Sequence, residues 1–418
     1  MKVVPLTSTR AAAHLMMIAL AAGMGGCTPA RGSSPRTGAD LVATSIRPWP
    51  TSGATTTLAL MAPSGRASIY DNALVALLLT RRGRRLEAGR LLEALALLQR
   101  PDGALPFTFD ARTWREADPY VRSGALAWVG YAGVAYLDAA RSGPARDDIA
   151  RMIHRIAGYL IERQVADEAD PRAGLVTGGY GELSARIEHG ALVQRFVSRA
   201  VDWASTEHNV DAFFFFRSLG RMTGQQEYLT AARRIADALL ASAWSEELGQ
   251  FAQGVSRTGR DKTLSLDCAS WGALFLFAVG DDARARLALE TIERRYASRD
   301  PRGVVGYKPY AEGPLVADEA IARARGLAGA RWEDAEALWP EGSAGVALAA
   351  LRAGDARRAR AILDALDGLR HPSGALPTMT LDVPFEFDRS PSLAATTWGE
   401  LVRDELDHPE RSPWLWAP

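Results

Sequence analysis

Apolar residues recur at intervals of three and four through most of the chain, the spacing that lays one buried stripe along a helix. The pattern predicts helices in consecutive pairs: 71–80 with 85–99, 123–141 with 145–164, 206–222 with 225–244, 264–279 with 282–297, and 341–353 with 356–369. A further helix is predicted over 392–406. The turn within each pair carries glycine: Gly83, Gly143 before Pro144, Gly224, Gly280 before Asp281, and Gly354 before Asp355. Glycine ends a helix readily because it accepts a left-handed backbone, and aspartate caps the next helix start. Strand signals are sparse.

The two members of a pair differ. First helices contain nearly charge-free stretches at 73–80, 124–136, 212–216, 269–279 and 343–351. A helix that is apolar all round is buried all round. Second helices carry charge on one face: Arg90 and Glu93; Arg233, Arg234 and Asp237; Arg284, Arg286, Glu290 and Glu293; Arg357, Arg358 and Arg360. A glycine loop follows each second helix, at Gly103, Gly174, Gly249, Gly303 and Gly374. These loops are spaced more widely than the roughly 20–50-residue units of an open solenoid. Short turns set paired helices antiparallel. Five pairs and a sixth partial one, wrapped round, predict an all-α (α/α)6 toroid. Charge-free helices would line the inside and charged helices the outside, in one domain over residues 41–418.

Composition agrees with a packed fold. At 47% hydrophobic and 23% charged, the 418-residue chain is too apolar for wholesale disorder and long enough for a sizeable core. Its 49 Lys and Arg balance 49 Asp and Glu, so no basic footprint for nucleic acid is present. No internal apolar run reaches the about 18 residues that cross a bilayer.

Residues 1–26 have the build of a secretory signal: Lys2 and Arg10, a short, mostly apolar stretch over 11–22, then small residues. Cys27, directly after Gly25 and Gly26, resembles the lipidated cysteine of a bacterial lipobox. The resemblance implies a lipid anchor at Cys27. Thr28, where an inner-membrane retention aspartate would stand, points to the outer membrane. Plain secretion with Cys27 incidental is the alternative. Residues 27–40 read as a Pro-, Gly- and Ser-rich tether. Cys268 has no other cysteine to pair with but Cys27, so the fold is expected to stand without disulfides.

Carboxylates gather at one place in the repeat, the start of the first helices, each beside an aromatic. The runs are Tyr70-Asp71-Asn72, Trp203 with Glu207-His208-Asn209-Val210-Asp211, Asp267 with Trp271, and Trp339-Pro340-Glu341. Parallel inner helices would bring these starts to one rim. Capping is the plain alternative, since acids at helix starts favour the dipole by about 0.3–1 kcal/mol; for Asp267 it stays open. It explains residues 207–211 poorly. Glu207, His208, Asn209 and Asp211 lead into four phenylalanines at 213–216, and polar groups carried inside need partners. Paired carboxyls with aromatic platforms suit glycoside hydrolysis, in which one is protonated to release the leaving group and the other attacks or activates water. Glu207 is the first candidate, with Asp267 or Glu341 as partner and Asp71 as a positioning or alternative acid. Tyr70, Trp203, His208, Asn209, Asp211, Trp271, Tyr310 and Trp339 are the expected sugar contacts.

The hairpin repeat, with Tyr70-Asp71-Asn72-Ala73-Leu74, the run from Ser205 to Asp211, Leu266-Asp267-Cys268-Ala269-Ser270-Trp271 and Trp339-Pro340-Glu341-Gly342, resembles the six-hairpin glycosidase-like (α/α)6 toroids. Bacterial extracytoplasmic members are the most similar. The resemblance covers about residues 65 to 405 and implies the toroid fold and a carbohydrate substrate. Such toroids also serve lyases, epimerases and cyclases, and no family motif transfers acid roles to single residues here. A lyase of uronates would want a basic rim, and the candidate rim is acidic. The leading expectation is a glycosidase of poly- or oligosaccharides, lipid-anchored in the cell envelope. The alternatives are a non-catalytic glycan-binding or scaffolding lipoprotein of a surface or export assembly, or an epimerase or lyase.

Six histidines show no metal-binding spacing, and a phosphate-binding glycine loop and a serine nucleophile elbow are absent from the sequence. No cofactor, metal or nucleic-acid partner is expected, and the oligomeric state is open. Residues 176–201, with Tyr180, Glu182 and Glu188, read as a long rim loop.

Overall fold

A computed structural model describes residues 46–48, 57–59, 65–110, 113–140, 145–189, 191–411 and 414–417. The residues expected to form a signal segment and a tether, Cys27 among them, lie outside the described residues. The helices are α1 (Ile69–Arg81), α2 (Arg85–Leu98), α3 (Ser123–Ala139), α4 (Arg146–Ile161), α5 (Thr206–Thr223), α6 (Gln226–Ala238), α7 (Leu266–Val279), α8 (Asp282–Arg295), α9 (Glu319–Ala324), α10 (Pro340–Arg352), α11 (Ala356–Asp367) and α12 (Leu393–Asp407). The helix predicted to run to 244 instead ends in a wider π turn at Leu239–Ala243.

Helices α1, α3, α5, α7, α10 and α12 each pack against the next, and α12 packs back against α1. The ring is closed. Helices α2, α4, α6, α8 and α11 pack against the ring helix that precedes each of them. This is the (α/α)6 toroid, and burial follows the sequence pattern. Helix α10 is buried continuously from Pro340 to Ala350, whereas α11 buries Ala359, Ile362, Leu363 and Leu366, a single stripe.

Close packing in the ring pairs small residues with large rings. A Cβ on Gly345 of α10 would lie 2.2 Å from the Trp271 indole of α7, and one on Gly130 of α3 would lie 2.5 Å from the Phe215 ring of α5. The segment 414–417 adds a ring of its own to this aromatic core. Trp416 stacks on Phe214 at 4.7 Å between centroids and also meets Trp128, Trp271 and Trp398. Its backbone N–H donates to Tyr131 Oη at 2.9 Å. The neighbouring N–H groups of Trp414 and Leu415 donate to Glu405, which pairs with Arg352 at 2.7 Å.

The repeat glycines after the second helices share left-handed φ values, from +67° at Gly249 to +92° at Gly374. Gln99 and Gln164 tie two of these loops to the next outer helix. The Gln99 amide donates to Gly103 O and Met152 O, and the Gln164 amide to Gly174 O and Ala231 O. Short antiparallel strand pairs then lead toward the next inner helix, such as Ala297–Arg299 with Val305–Tyr307 and Leu376–Pro377 with Pro391–Ser392.

The segment expected as a rim loop is instead an antiparallel hairpin of strands Gly179–Glu188 and Ala191–Val201. Its first strand touches α9. Tyr180, Phe196 and most residues of 194–200 are exposed, so no alternation of buried and exposed positions marks the strands in the sequence. Backbone pairing holds them.

Candidate active site

Serines, not acids, cap the acid-bearing helices α1 and α5. Ser68 Oγ accepts from the N–H groups of Tyr70 and Asp71, and Ser205 Oγ from that of His208. The nearby carboxylates are thereby left for other contacts. Helices α1, α5, α7 and α10 deliver Tyr70, Glu207, Asp267 and Glu341 to one cleft of about 640 Å³, counted with its open mouth. Trp339 and Tyr310 also line it. Tyr310 is set in place by backbone bonding between its loop and the start of α7: Leu266 N–H donates to Pro309 O at 2.8 Å and Ala311 N–H to Leu264 O at 3.1 Å.

Glu341 is 7% exposed and is held by Tyr70, whose Oη donates to Glu341 Oε1 at 2.6 Å. Tyr70 Oη in turn accepts from the Trp398 indole N–H at 2.8 Å. Burial raises the Glu341 carboxyl to about 7; the Tyr70 bond opposes the rise, and the charges of Asp71 and Asp267 add to it. Glu207 lies well above its ordinary value. Burial is the main cause, followed by the charges of Asp267, Asp211 and Glu341 and a hydrogen bond shared with Asp267. Asp267 Oδ1 also accepts from the Cys268 N–H at 2.7 Å.

Other expected residues do not line the cleft. Asp71 acts on it through charge, with its own carboxyl raised to about 7 by burial. Asp211 is buried facing α3 near Gly124 and lies well above its ordinary value; burial raises it, the Trp128 indole opposes, and the charges of Asp267 and Glu341 add. His208 packs on the same glycine, and burial with the charge of Arg122 pushes it down to about 3, so it is neutral at physiological pH. Asn209 bridges backbone: its Oδ1 accepts from Val176 N–H at 2.7 Å, and its Nδ2 donates to Val176 O and Ser205 O. Trp203 packs over Gly254, and Trp271, one turn into α7, joins the buried aromatic core. An indole that far along an inner helix faces neighbouring helices rather than the rim.

Sequence reasoning missed Ser205, Gln253, Ser265, Cys268, Pro309, Glu386 and Phe387, which complete the lining. The Phe385-Glu386-Phe387 run was the available signal, an acid between two aromatics. Phe387 meets Trp339 and Trp332, and the turn closes by a 2.8 Å bond from Val383 N–H to Phe387 O. Gln253 is placed by its backbone, which accepts from Thr206 N–H at the start of α5.

A closed ring of six inner helices, four of whose starts meet at an acidic cleft, defines the fold as an (α/α)6 toroid. No protein-family model matches the chain, and no curated protein matches it in sequence. Solved structures match its fold. A glycosidase determined as a glutamate-to-alanine variant in complex with glucose aligns at TM-score 0.60 and 14% identity, covering 91% of this chain and 96% of that one. A D-mannose isomerase aligns at 0.55 and 12%, covering 83% and 89%. A GH76 alpha-mannanase of Bacteroides thetaiotaomicron aligns at 0.53 and 11%, covering 90% and 94%. At these identities the likeness is one of fold.

Proposed function

We propose that this protein is a glycoside hydrolase with Glu207 as general acid and Glu341 as base or nucleophile. One observation carries the reading: two buried carboxyls share one cleft, and of the two it is Glu341 that accepts the Tyr70 hydrogen bond, which favours its ionised form. Burial and neighbouring acids raise the Glu207 carboxyl well above its ordinary value, the direction a general acid requires. Tyr70 donates to Glu341 and favours its carboxylate, as a base or nucleophile requires. Asp267 shares a hydrogen bond with Glu207. Those two are therefore too close to straddle a glycosidic bond, which takes carboxyls about 5 Å or more apart. Asp267 instead holds the proton of Glu207 in place. Trp339, Tyr310 and Phe387 offer flat faces to a sugar ring.

Hydrolysis of a glycan panel with product analysis tests the reading. Glu207→Gln and Glu341→Gln should each lower turnover about 10²-fold or more, with glycan binding kept. Wild-type turnover in either variant removes that residue from the mechanism. A rearranged sugar in place of a released one points to an isomerase. Tight binding without turnover points to a glycan-binding protein.

A further inference from the structure

Two features outside the acid chemistry decide how a chain of sugars reaches Glu207 and Glu341. The first is the hairpin at 179–201. It is rooted between two inner helices: Val121 and Arg122, just ahead of α3, pair with Tyr180 and Gly179, and Val201 leads through Trp203 to Ser205, the cap of α5. Its first strand packs against α9, which lies in the segment between the lining residues Tyr310 and Trp339. That segment is pinned to the cleft wall. The Trp332 ring meets Tyr310 and Phe387, and Lys308 Nζ donates to Trp332 O at 2.8 Å. In ring order the starts of α5 and α7, which carry Glu207 and Asp267, stand between the root of the hairpin and α9. Helices pack about 8–10 Å apart, so places two apart in a ring of six are about 14–17 Å apart. A ten-residue strand, about 33 Å long, covers that distance. The hairpin therefore crosses the mouth on the side of Glu207 and Asp267. Its first strand faces inward, half-buried at 182–184 with Leu183 packed on the core, and its second strand is exposed at 194–196. Cross-strand bonds from Arg199 to Glu182 at 2.7 Å and from Arg195 to Glu188 at 2.9 Å brace it.

The second feature is the floor. Trp398, whose indole donates to the lining residue Tyr70, packs on Trp271 and Trp416, and Trp416 also meets Trp128 and Phe214. These rings fill the space between the inner helices, so the cleft does not continue through the toroid. We propose, building on the hydrolase reading, that the hairpin at 179–201 bars the cleft to the middle of a polysaccharide, so that the enzyme acts on chain ends. Cutting within a chain needs room for sugars on both sides of the bond held between the two carboxyls. Here one side runs under the hairpin and onto the aromatic floor, and only the other side leads out. A chain end fits that shape, with its last sugars under the hairpin and the rest of the chain leaving past Trp339 and Phe387.

Soluble glucans, mannans and xylans, with their hexasaccharides, test this. From the first time point, wild type should release one small product from a hexasaccharide, and solution viscosity should hold while that product accumulates from the polymer. In saturation-transfer NMR, a bound hexasaccharide should receive its signal at one terminal sugar and the sugar next to it. Replacing residues 184–195 with Asn-Gly, which joins the paired positions Leu183 and Phe196, should abolish the single-product pattern and make viscosity fall early. A spread of product sizes with early viscosity loss from wild type, saturation centred on interior sugars, or an unchanged product pattern in the folded, shortened protein overturns the proposal. The product, viscosity and NMR arms need no variant, so a misfolded shortened protein leaves the test intact. The two readings fail separately. Cleavage within chains keeps hydrolysis and overturns the barred cleft. Terminal saturation with no glycan cleaved overturns hydrolysis and keeps the barred cleft. No hexasaccharide bound or cut overturns both.

Discussion

Glu341 stands between opposing influences: burial, Asp71 and Asp267 raise its carboxyl, and the Tyr70 hydroxyl lowers it. With Glu341 acting ionised, kcat/KM should climb with pH through about 7. It should fall again at higher pH as Glu207 loses the proton it must donate. Because the acids interact, both limbs belong to the set. Tyr70→Phe deletes a bond that favours the carboxylate, so the rising limb should move to higher pH and the neutral-pH rate should drop. A pH–rate profile of the two proteins checks this, and an unmoved limb would detach Tyr70 from the base. The position of the acids at helix starts was legible in the sequence. The duties of Asn209 and His208 were not: Asn209 is committed to Val176, 33 residues away, and His208 to a glycine on α3. Polar residues in one run look alike until their partners are known.

At the scale of elements, two glycines in helices should respond to alanine with opposite sign. Alanine gains about 0.5–1 kcal/mol over glycine in a helix from backbone entropy. On outer helix α4, an alanine methyl at Gly158 would have open space for 4 Å around it, so Gly158→Ala should raise the urea midpoint. On inner helix α10, a methyl at Gly345 would stand 2.2 Å from the Trp271 indole. Overpacking costs about 1–3 kcal/mol, so Gly345→Ala should lower the midpoint. A gain at Gly345 would mean that the Trp271 indole moves aside freely. Helix pairs were legible because a 3.6-residue stripe repeats over several turns. The hairpin at 179–201 was not, because its second strand is largely exposed over 194–200 and carries no hydrophobic alternation.

At the scale of the whole molecule, Trp416 joins side chains from α3, α5, α7 and α12 while 2% exposed. Trp416→Ala should destabilise the fold by about 3–5 kcal/mol, the range for removing a buried aromatic. Thermal denaturation measures it, and an unchanged midpoint would make the segment ornamental. Trp416 also packs on Trp398, whose indole donates to Tyr70, so the same substitution should reach the site. The proposed lipid anchor is tested on the full chain: labelled palmitate should be incorporated, and Cys27→Ser should abolish the label. A soluble, unlabelled wild type would overturn it.

The sequence by itself determined the helical repeat, the division into buried and solvent-facing helices, and the acids at the starts of the buried ones. Those features rest on local spacing and on which side chains tolerate water. Tertiary structure alone decided which acids share a cleft, that Glu207 and Asp267 touch while Tyr70 takes Glu341, and that Gln253 and Glu386 join them. It also decided that Trp203 and Trp271 serve packing and that Trp416 completes the aromatic core. These outcomes depend on contacts between residues far apart in sequence, such as Tyr70 and Glu341, 271 positions apart, and closure of a ring is what brings such residues together.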